Sequence, residues 1–414
     1  MIKPITEIKV GLDFGTTTQP VGRLAVRDHV IYFEYNDEFI QTGIQISPFR
    51  LPLKKGVAVL PQRPFEGLAG VFSDSLPDGW GRLLLDRLLR SQGILPATIS
   101  PLDRLAHVGL SGMGALVYEP DHSPTEALEI IDLDRLALQS HEVLQGSSEE
   151  VIRELLALNG SSAGARPKAL IAVREDRQQI IYGTGKLDEG FEPWLVKFTN
   201  SQDGQDAGAI EYVYALMAKE AGVMMPEVYL FPSQKGAGHF AVKRFDRDGS
   251  KRLHMHTVSG LLHSDFRTPS LDYEDLLNLT GVITKDIREV EKMYRLAVFN
   301  VLSHNRDDHA KNFSFLMDNH GEWKLAPAYD LTFSSGPNGE QSMMVMGEGR
   351  NPKISHLIKL GQGAKIQKKR IDEILESTLA ALNSWENLAI NCHVFKSNIA
   401  LISKAIGNNR STHF

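Results

Sequence analysis

The chain contains a single cysteine, Cys392, in 414 residues. One thiol excludes a disulfide framework and a cysteine-rich zinc site, and it is compatible with a reducing compartment. No run of about 18 consecutive apolar residues occurs, so no membrane span is expected. The opening residues, MIKPITEIKVGLDFG, lack a basic segment followed by an apolar one, so no signal peptide is expected. Neither sign of charge is in large excess. The 45 Lys and Arg stand against 51 Asp and Glu, which gives a formal net charge of −6 and a pI of about 6.2. That balance excludes a molecule that binds polyanions over its whole surface and leaves only local patches for nucleic acid. Internal repeats and low-complexity segments are also missing. A soluble, cytoplasmic protein with no membrane partner is the expectation.

What is present is enough apolar residue, 42% against 23% charged, to bury several cores. The length points to two or three units. Residues 1–120 read as β-rich, with strand-like stretches at 8–14 and 23–35 and a short strand at 115–118. Pro77, Gly79 and Gly81 mark a turn in FSDSLPDGWGR, and Leu83, Leu84, Leu88 and Leu89 form a helical stripe after it. A short helix capped by Ser148 is expected over 148–159, followed by strands at 169–173, 194–198, 229–231 and 240–244. A helix is expected over 210–221. Beyond Arg244 the pattern turns helical, at 273–279, 285–303 and 368–382.

The chemistry concentrates at 305–312, NRDDHAKN, where a long helix runs out into a polar loop. Asp307 and Asn312 have the D-x-x-x-x-N spacing of protein-kinase catalytic loops. In that arrangement the aspartate accepts the proton of the attacking hydroxyl and the asparagine oxygen holds Mg²⁺. Lys311 would neutralise the transferring phosphate. His309 is a candidate acid or base, with a structural hydrogen-bonding role as the alternative, and His304 has the same two readings. Asp330, in LAPAYDLTFS, follows a short strand at Trp323–Leu325 and is the second candidate ligand for Mg²⁺, a cation that takes few protein oxygens and keeps water and phosphate. Leu331 and Thr332 stand where a kinase D-F-G has Phe and Gly.

A nucleotide side is legible upstream. Lys197 sits in the apolar strand WLVKF and needs an anionic partner. ATP phosphates are one, and Glu211 on the next helix is the other, in the strand-then-helix order of the kinase Lys–Glu pair. The small-residue loop SSAGARPK, Ser161 to Lys168, lets backbone N–H groups approach phosphate near Ser162, Ala163, Gly164 and Ala165. FAVKRFD reads as an inter-lobe hinge, with backbone groups at Lys243 and Phe245 meeting the adenine edge and Asp246 beside them. Two other features compete. GLDFGTT, 11–17, matches the first phosphate motif of actin-like sugar kinases, but no companion loops follow, and Asp13 to Thr17 is read as a strand end and turn. Residues 350–370 carry seven Lys or Arg and no acid, which is a solvated helix face or a phosphate-contacting surface.

Taken together, FSDSLPDGWGR, SSAGARPKA, WLVKF, NRDDHAKNFSF and LAPAYDL, in that order over nearly the whole chain, resemble the HipA family of toxin–antitoxin serine/threonine kinases. The resemblance implies an α+β, bilobal protein-kinase-like fold related to lipid kinases, with an accessory subdomain at 1–125, an N-lobe at 126–245 and a mostly helical C-lobe at 246–414. It implies ATP and Mg²⁺ as cofactors, Asp307 as catalytic base, Asn312 and Asp330 as metal ligands, and Lys197 on the ATP phosphates. Ser161 falls where the family autophosphorylates its loop, with Ser162 adjacent. A phosphoserine there adds about −2 charge and repels ATP phosphate. The resemblance further implies a helix-turn-helix, HipB-like antitoxin, operator DNA reached through that complex, and a protein substrate such as an aminoacyl-tRNA synthetase. A small-molecule or lipid kinase, or a partner-binding pseudokinase, on the same scaffold are the alternatives.

Overall fold

The computed structural model describes residues 4–123, 129–145, 149–159, 164, 166–182, 187, 189–200, 204–268 and 270–411. The chain forms two compact units. The first comprises Met1–Gln202, Ala241–His263 and Leu316–Glu322; the second comprises Asp203–Phe240, Ser264–Phe315 and Trp323–Phe414.

The first unit begins with an antiparallel sheet whose strands lie in the order Val57–Val59, Val30–Tyr35, Thr18–Arg27, Glu7–Asp13 and Leu116–Glu119. Alternate residues point inward, as a half-buried sheet requires. Ile8, Val10 and Leu12 on one strand and Ile31, Phe33 and Tyr35 on another are buried. The stretch 23–35, expected as one strand, is two. Asp28 and His29 both take positive φ, 50° and 63°, and turn the chain in the sense that matches strand twist. Aspartate tolerates that conformation, so the break carries no glycine to announce it.

Helices complete this front region more fully than the β-rich reading anticipated. Helix Gly79–Ser91 includes Gly79 and Gly81, which were expected in a turn. Its apolar face, Trp80, Leu84, Leu85, Leu88 and Leu89, is buried, and that burial outweighs the two glycines, each worth about 1 kcal/mol against alanine. Helix Pro101–Val108 starts on a reciprocal cap between Ser100 and Asp103 with Pro at its first position.

A second sheet in the same unit pairs Ala241, Val242 and Lys243 with Phe191–Lys197 and continues through Lys168–Arg174, Ile180–Tyr182 and Glu129–Ile130, with each of these pairs antiparallel. Helix Glu149–Asn159 packs near it; Ser148, its expected cap, lies outside the described residues.

The second unit is mostly helical. Helices Tyr273–Thr284 and Ile287–Leu302 pack together, and Lys368–Leu382 lies against the latter. Tyr214, on helix Ala207–Glu220, donates its buried hydroxyl to the Ser303 carbonyl at 2.7 Å, which fixes where the long helix ends. Tyr294 does the same to Leu357 at 3.0 Å. Three further helices, Ile354–Gly363, Trp385–Asn391 and Lys396–Ser411, complete the described part of this unit. Within the basic 350–370 stretch, Arg350 pairs with Glu340, and Arg370 with Glu291 and Glu373, so part of its charge is balanced locally.

Candidate active site

In the second unit, helix Ile287–Leu302 delivers the chain into the loop 303–309. Asn305 folds back, its N–H on the Asn300 carbonyl at 2.9 Å and its side-chain amide on Asn300 Oδ1 at 3.0 Å. From there the chain has no helix or strand until a short 3₁₀ turn, Ala310–Asn312. Asp307 is exposed; Asp308, next to it, is 1% exposed. Asn312 donates its amide Nδ2 to the Asp307 carbonyl at 2.8 Å. That bond ties the two ends of the loop together and leaves Oδ1 as the end of Asn312 that a cation would meet.

Asp330 adopts a left-handed backbone, φ 59°, while the following Leu331 is buried. A non-glycine residue in that region is uncommon and is retained where the surroundings hold it. The hold is visible one residue earlier. Tyr329 donates its hydroxyl to the Lys311 carbonyl at 2.7 Å and shares a 2.5 Å hydrogen bond with Ser314 Oγ. The residue before Asp330 is therefore bonded to the residue before Asn312. Upstream, Glu289 accepts the Leu325 N–H at 3.0 Å and fixes the strand that leads there. One carboxylate and one amide oxygen suit Mg²⁺, which keeps several waters and phosphate oxygens. Among the described residues no cluster of three or more His, Cys, Asp or Glu side chains could hold a metal by itself.

Lys311 places Nζ 4.8 Å from the centre of the Phe266 ring, and Arg267 lies 4.6 Å from the same ring. His309 packs on Phe266 at 5.1 Å, and its Nδ1 is buried without a hydrogen-bond partner. His304 is held well below the ordinary histidine range, near 4, chiefly by burial and then by Arg306.

In the first unit, Lys168 and Lys197 are direct partners across the antiparallel pair Lys168–Arg174 and Phe191–Lys197. Directly opposed residues share a face. Lys168 is 5% exposed, and its Nζ lies 2.4 Å from where a Cβ on Gly164 would be. Gly164 takes φ +107°, and its carbonyl accepts the Trp80 N–H at 3.1 Å, in the first turn of helix Gly79–Ser91. Ser161, Ser162, Ala163 and Ala165 lie outside the described residues. Lys197 belongs to the first unit and Glu211, 2% exposed on helix Ala207–Glu220, to the second.

The hinge residues have strong local commitments. Lys243 forms an ion pair with Glu192. Phe245 is half-buried. Asp246 is fully buried and accepts from Arg244 at 2.7 and 2.9 Å, Arg247 at 2.6 Å and the Gly114 N–H at 2.8 Å. Burial alone would raise its pKa, but Arg244 and Arg247 outweigh it and hold the carboxyl far below the usual range.

Asp13, from GLDFGTT, accepts the Gly15 N–H at 2.8 Å and pairs with Arg252 at 3.2 Å. A Cβ on Gly15 would lie 1.9 Å from the Ser250 carbonyl oxygen, so this glycine serves a close backbone approach. Asp74, from FSDSLPDGWGR, bonds His256 Nδ1 at 2.6 Å, and His256 Nε2 lies 3.0 Å from Ser47 Oγ. The connectivity is that of a hydrolase triad, but Ser47 and His256 are both 0% exposed and no substrate reaches them. Asp74 also holds the Thr257 N–H and hydroxyl, so the array is a structural cross-brace.

Sequence reasoning missed Asp308, Tyr329 and Tyr273. The burial of Asp308 and the bonds of Tyr273 and Tyr329 join residues far apart in sequence, and no local signal announced them.

Residues 160–385, more than half of the chain, match the HipA-like C-terminal domain, and residues 12–119 match the HipA N-terminal domain. The protein named "Putative kinase Y4mE" of Sinorhizobium fredii (strain NGR234) is 25% identical over 346 residues, 77% of this chain and 78% of its own. The serine/threonine-protein kinase toxin HipA of Shewanella oneidensis is 26% identical over 327 residues, 72% of this chain and 68% of its own. A chain of the Shewanella oneidensis MR-1 HipA, HipB and operator DNA complex superposes with a TM-score of 0.68 at 17% identity, covering 97% of this chain and 95% of that one. The mixed α+β architecture is therefore the HipA fold. With both domain profiles matched in order and the fold shared end to end, this chain belongs to the HipA family.

Proposed function

We propose that the chain is an ATP- and Mg²⁺-dependent protein serine/threonine kinase that serves as the toxin of a type II toxin–antitoxin module. The observation that carries this reading is the Tyr329 bridge, which draws Asp330 and the Asp307–Asn312 loop together in a chain of the HipA family. Asp307 takes the proton of the acceptor hydroxyl as its oxygen bonds to the γ-phosphorus and the bond to the bridging oxygen of ADP breaks. Mg²⁺, when bound, neutralises the phosphate oxygens. Asn312 and Asp330 would hold it, and Lys197, with Lys168 opposite, would receive the phosphates. Gly164 and its loop would cover them, and the backbone at Lys243 and Phe245 would meet the adenine. In this reading residues 1–125 are an accessory subdomain, 126–245 the N-lobe and 246–414 the C-lobe.

The same reading assigns a HipB-like helix-turn-helix antitoxin as partner, as in the Shewanella complex, with operator DNA reached through it. A translation component such as an aminoacyl-tRNA synthetase is the proposed target. Autophosphorylation at Ser161 or Ser162 would add negative charge that repels ATP phosphate and switch the kinase off. The test is intact-mass analysis of wild type and Asp307→Ala after incubation with Mg-ATP. A phosphate added only to wild type, and mapped to Ser161 or Ser162, supports the kinase and its loop switch together. No phosphate on the chain, no transfer to protein or small-molecule acceptors, and toxicity that survives Asp330→Ala would replace it with a binding role.

A further inference from the structure

The segment that follows Asp330 is stitched to the loop that carries Asp307, nearly residue by residue. Ser334 donates its N–H to the His304 carbonyl at 3.2 Å. Arg306 donates to the Gly339 carbonyl, and its own carbonyl accepts the Ser342 N–H at 3.2 Å and the Ser342 hydroxyl at 3.1 Å. A Cβ on Gly336 would come 2.6 Å from the Arg306 Cβ and 1.9 Å from the Glu340 carbonyl oxygen, so the chain can pass there only as glycine.

Asp308 is the centre of this seam. Its Oδ1 accepts the Ser342 N–H at 3.0 Å and the Met343 N–H at 3.2 Å. Its Oδ2 accepts the Tyr273 hydroxyl at 2.6 Å and Gln341 Nε2 at 3.0 Å. The Tyr273 hydroxyl in turn accepts from Asn300 Nδ2 at 3.0 Å, and Asn300 holds Asn305, which closes a ring from helix to loop and back. Tyr273 also reaches the segment through its backbone, donating its N–H to the Met344 carbonyl at 2.9 Å. Asp272, beside it, accepts the Met346 and Gly347 N–H groups at 3.1 and 2.7 Å. Two carboxylates therefore hold 341–347 from two sides.

We propose that Asp308 is a positioning residue: it sets the backbone of Asp307 and locks the segment 341–343 against it, so that catalysis requires this segment in place. The inference rests on the kinase reading of Asp307. It predicts that release of the segment slows phosphoryl transfer without weakening nucleotide binding, because none of the residues in the seam is proposed to contact ATP. A misplacement of about 1 Å is worth about 100-fold in rate.

The variants differ in what they leave. Asp308→Ala removes the carboxylate from four donors, of which the Ser342 N–H keeps the Arg306 carbonyl as acceptor. Asp308→Asn keeps Oδ1 for the Ser342 and Met343 amides, and Gln341 can turn its side-chain amide to accept from the new Nδ2, while the Tyr273 hydroxyl loses its acceptor. Tyr273→Phe removes one donor and leaves the other three. The measurement is ADP formation from Mg-ATP, with kcat and the KM for ATP determined separately, alongside hydrogen exchange at the 341–343 amides. The expected result for Asp308→Ala is a kcat about 100-fold lower, a KM for ATP within twofold, and faster exchange at 342 and 343. Asp308→Asn and Tyr273→Phe, which each lose only the Tyr273 contact, should both fall between wild type and Asp308→Ala. Should Asp308→Ala fail to fold, a lower kcat at unchanged KM for ATP in the other two still decides. Overturning results are a folded Asp308→Ala with wild-type kcat, or a loss that appears in KM alone. A wild-type chain that forms no ADP, alone or with protein and small-molecule acceptors, overturns the kinase reading itself, and this inference falls with it; an active wild type with indifferent variants overturns the positioning role only.

Discussion

Lys168 and Lys197 are paired directly across two antiparallel strands, so two ammonium groups share one face of the sheet beside Gly164. A polyphosphate that binds there only in the folded state would raise its stability by mass action. Lys168→Met and Lys197→Met should each abolish most of the rise in melting temperature that Mg-ATP produces in wild type. Thermal melts with and without Mg-ATP decide the matter: an undiminished ATP shift in both variants would remove these lysines from the phosphate site.

Asp246 makes a different use of charge. It is wholly buried between Arg244 and Arg247 and holds the Gly114 amide. Removing one partner of such a cluster leaves uncompensated charge inside the protein, a loss of about 3–5 kcal/mol. Asp246→Ala is therefore expected to lower the urea midpoint strongly. The folded-state pKa is depressed, so the stability that the carboxylate contributes is complete above the ordinary aspartate value, about 3.9, and is lost only as pH falls below it. Wild type and Asp246→Ala should differ by a constant amount from pH 7 to pH 5. A difference that vanishes already at pH 5 would contradict the buried-pair account.

How much of this was legible beforehand depends on the range of the cause. Helix Lys368–Leu382 and strand Trp323–Leu325 have the bounds expected from sequence, because apolar spacing and flanking residues are local signals. Helix Gly79–Ser91 was misread at its start because two local glycine signals lost to the burial of Trp80. The turn at Asp28 and His29 carried no glycine or proline at all. Family-like motifs put Asp307, Asn312 and Asp330 on the page, yet nothing in them revealed Tyr329 as the residue that joins the last two. That link spans 18 positions between Tyr329 and Lys311 and exists only in the folded chain. Asp308 was hidden in the same way: its four donors lie as far as 35 positions away.

Burial pushes the Asp308 carboxyl up to about 7, against hydrogen bonds from Tyr273 and two backbone amides that favour ionisation. A folded-state pKa above the unfolded one means that the folded protein holds the extra proton between about pH 4 and 7. The contribution of this group to stability therefore falls as pH rises through that window and is level above it. Asp308→Asn cannot titrate and removes that slope. Urea midpoints at pH 5 and pH 7.5 should show the wild type losing stability relative to Asp308→Asn at the higher pH. Parallel behaviour of the two proteins would mean that the four donors keep the carboxylate ionised throughout.

Tyr329 bridges the backbone that precedes Asn312 and the residue that precedes Asp330. Its hydroxyl meets Lys311 and Ser314, not a cation, so its loss should act through the placement of the two proposed ligands. Outer-sphere partners of this kind are typically worth 10–100-fold in metal affinity, while one lost hydrogen bond removes about 1 kcal/mol of stability. Tyr329→Phe should therefore fold, melt a few degrees lower, and need at least about tenfold more Mg²⁺ for half-maximal ADP formation. Turnover at saturating Mg²⁺ should return close to wild type. Asp330→Ala should behave differently, with turnover absent at every Mg²⁺ concentration because a ligand itself is gone. Titration of Mg²⁺ at fixed ATP separates the two. If Tyr329→Phe shows the wild-type Mg²⁺ midpoint, the bridge does not set the metal site.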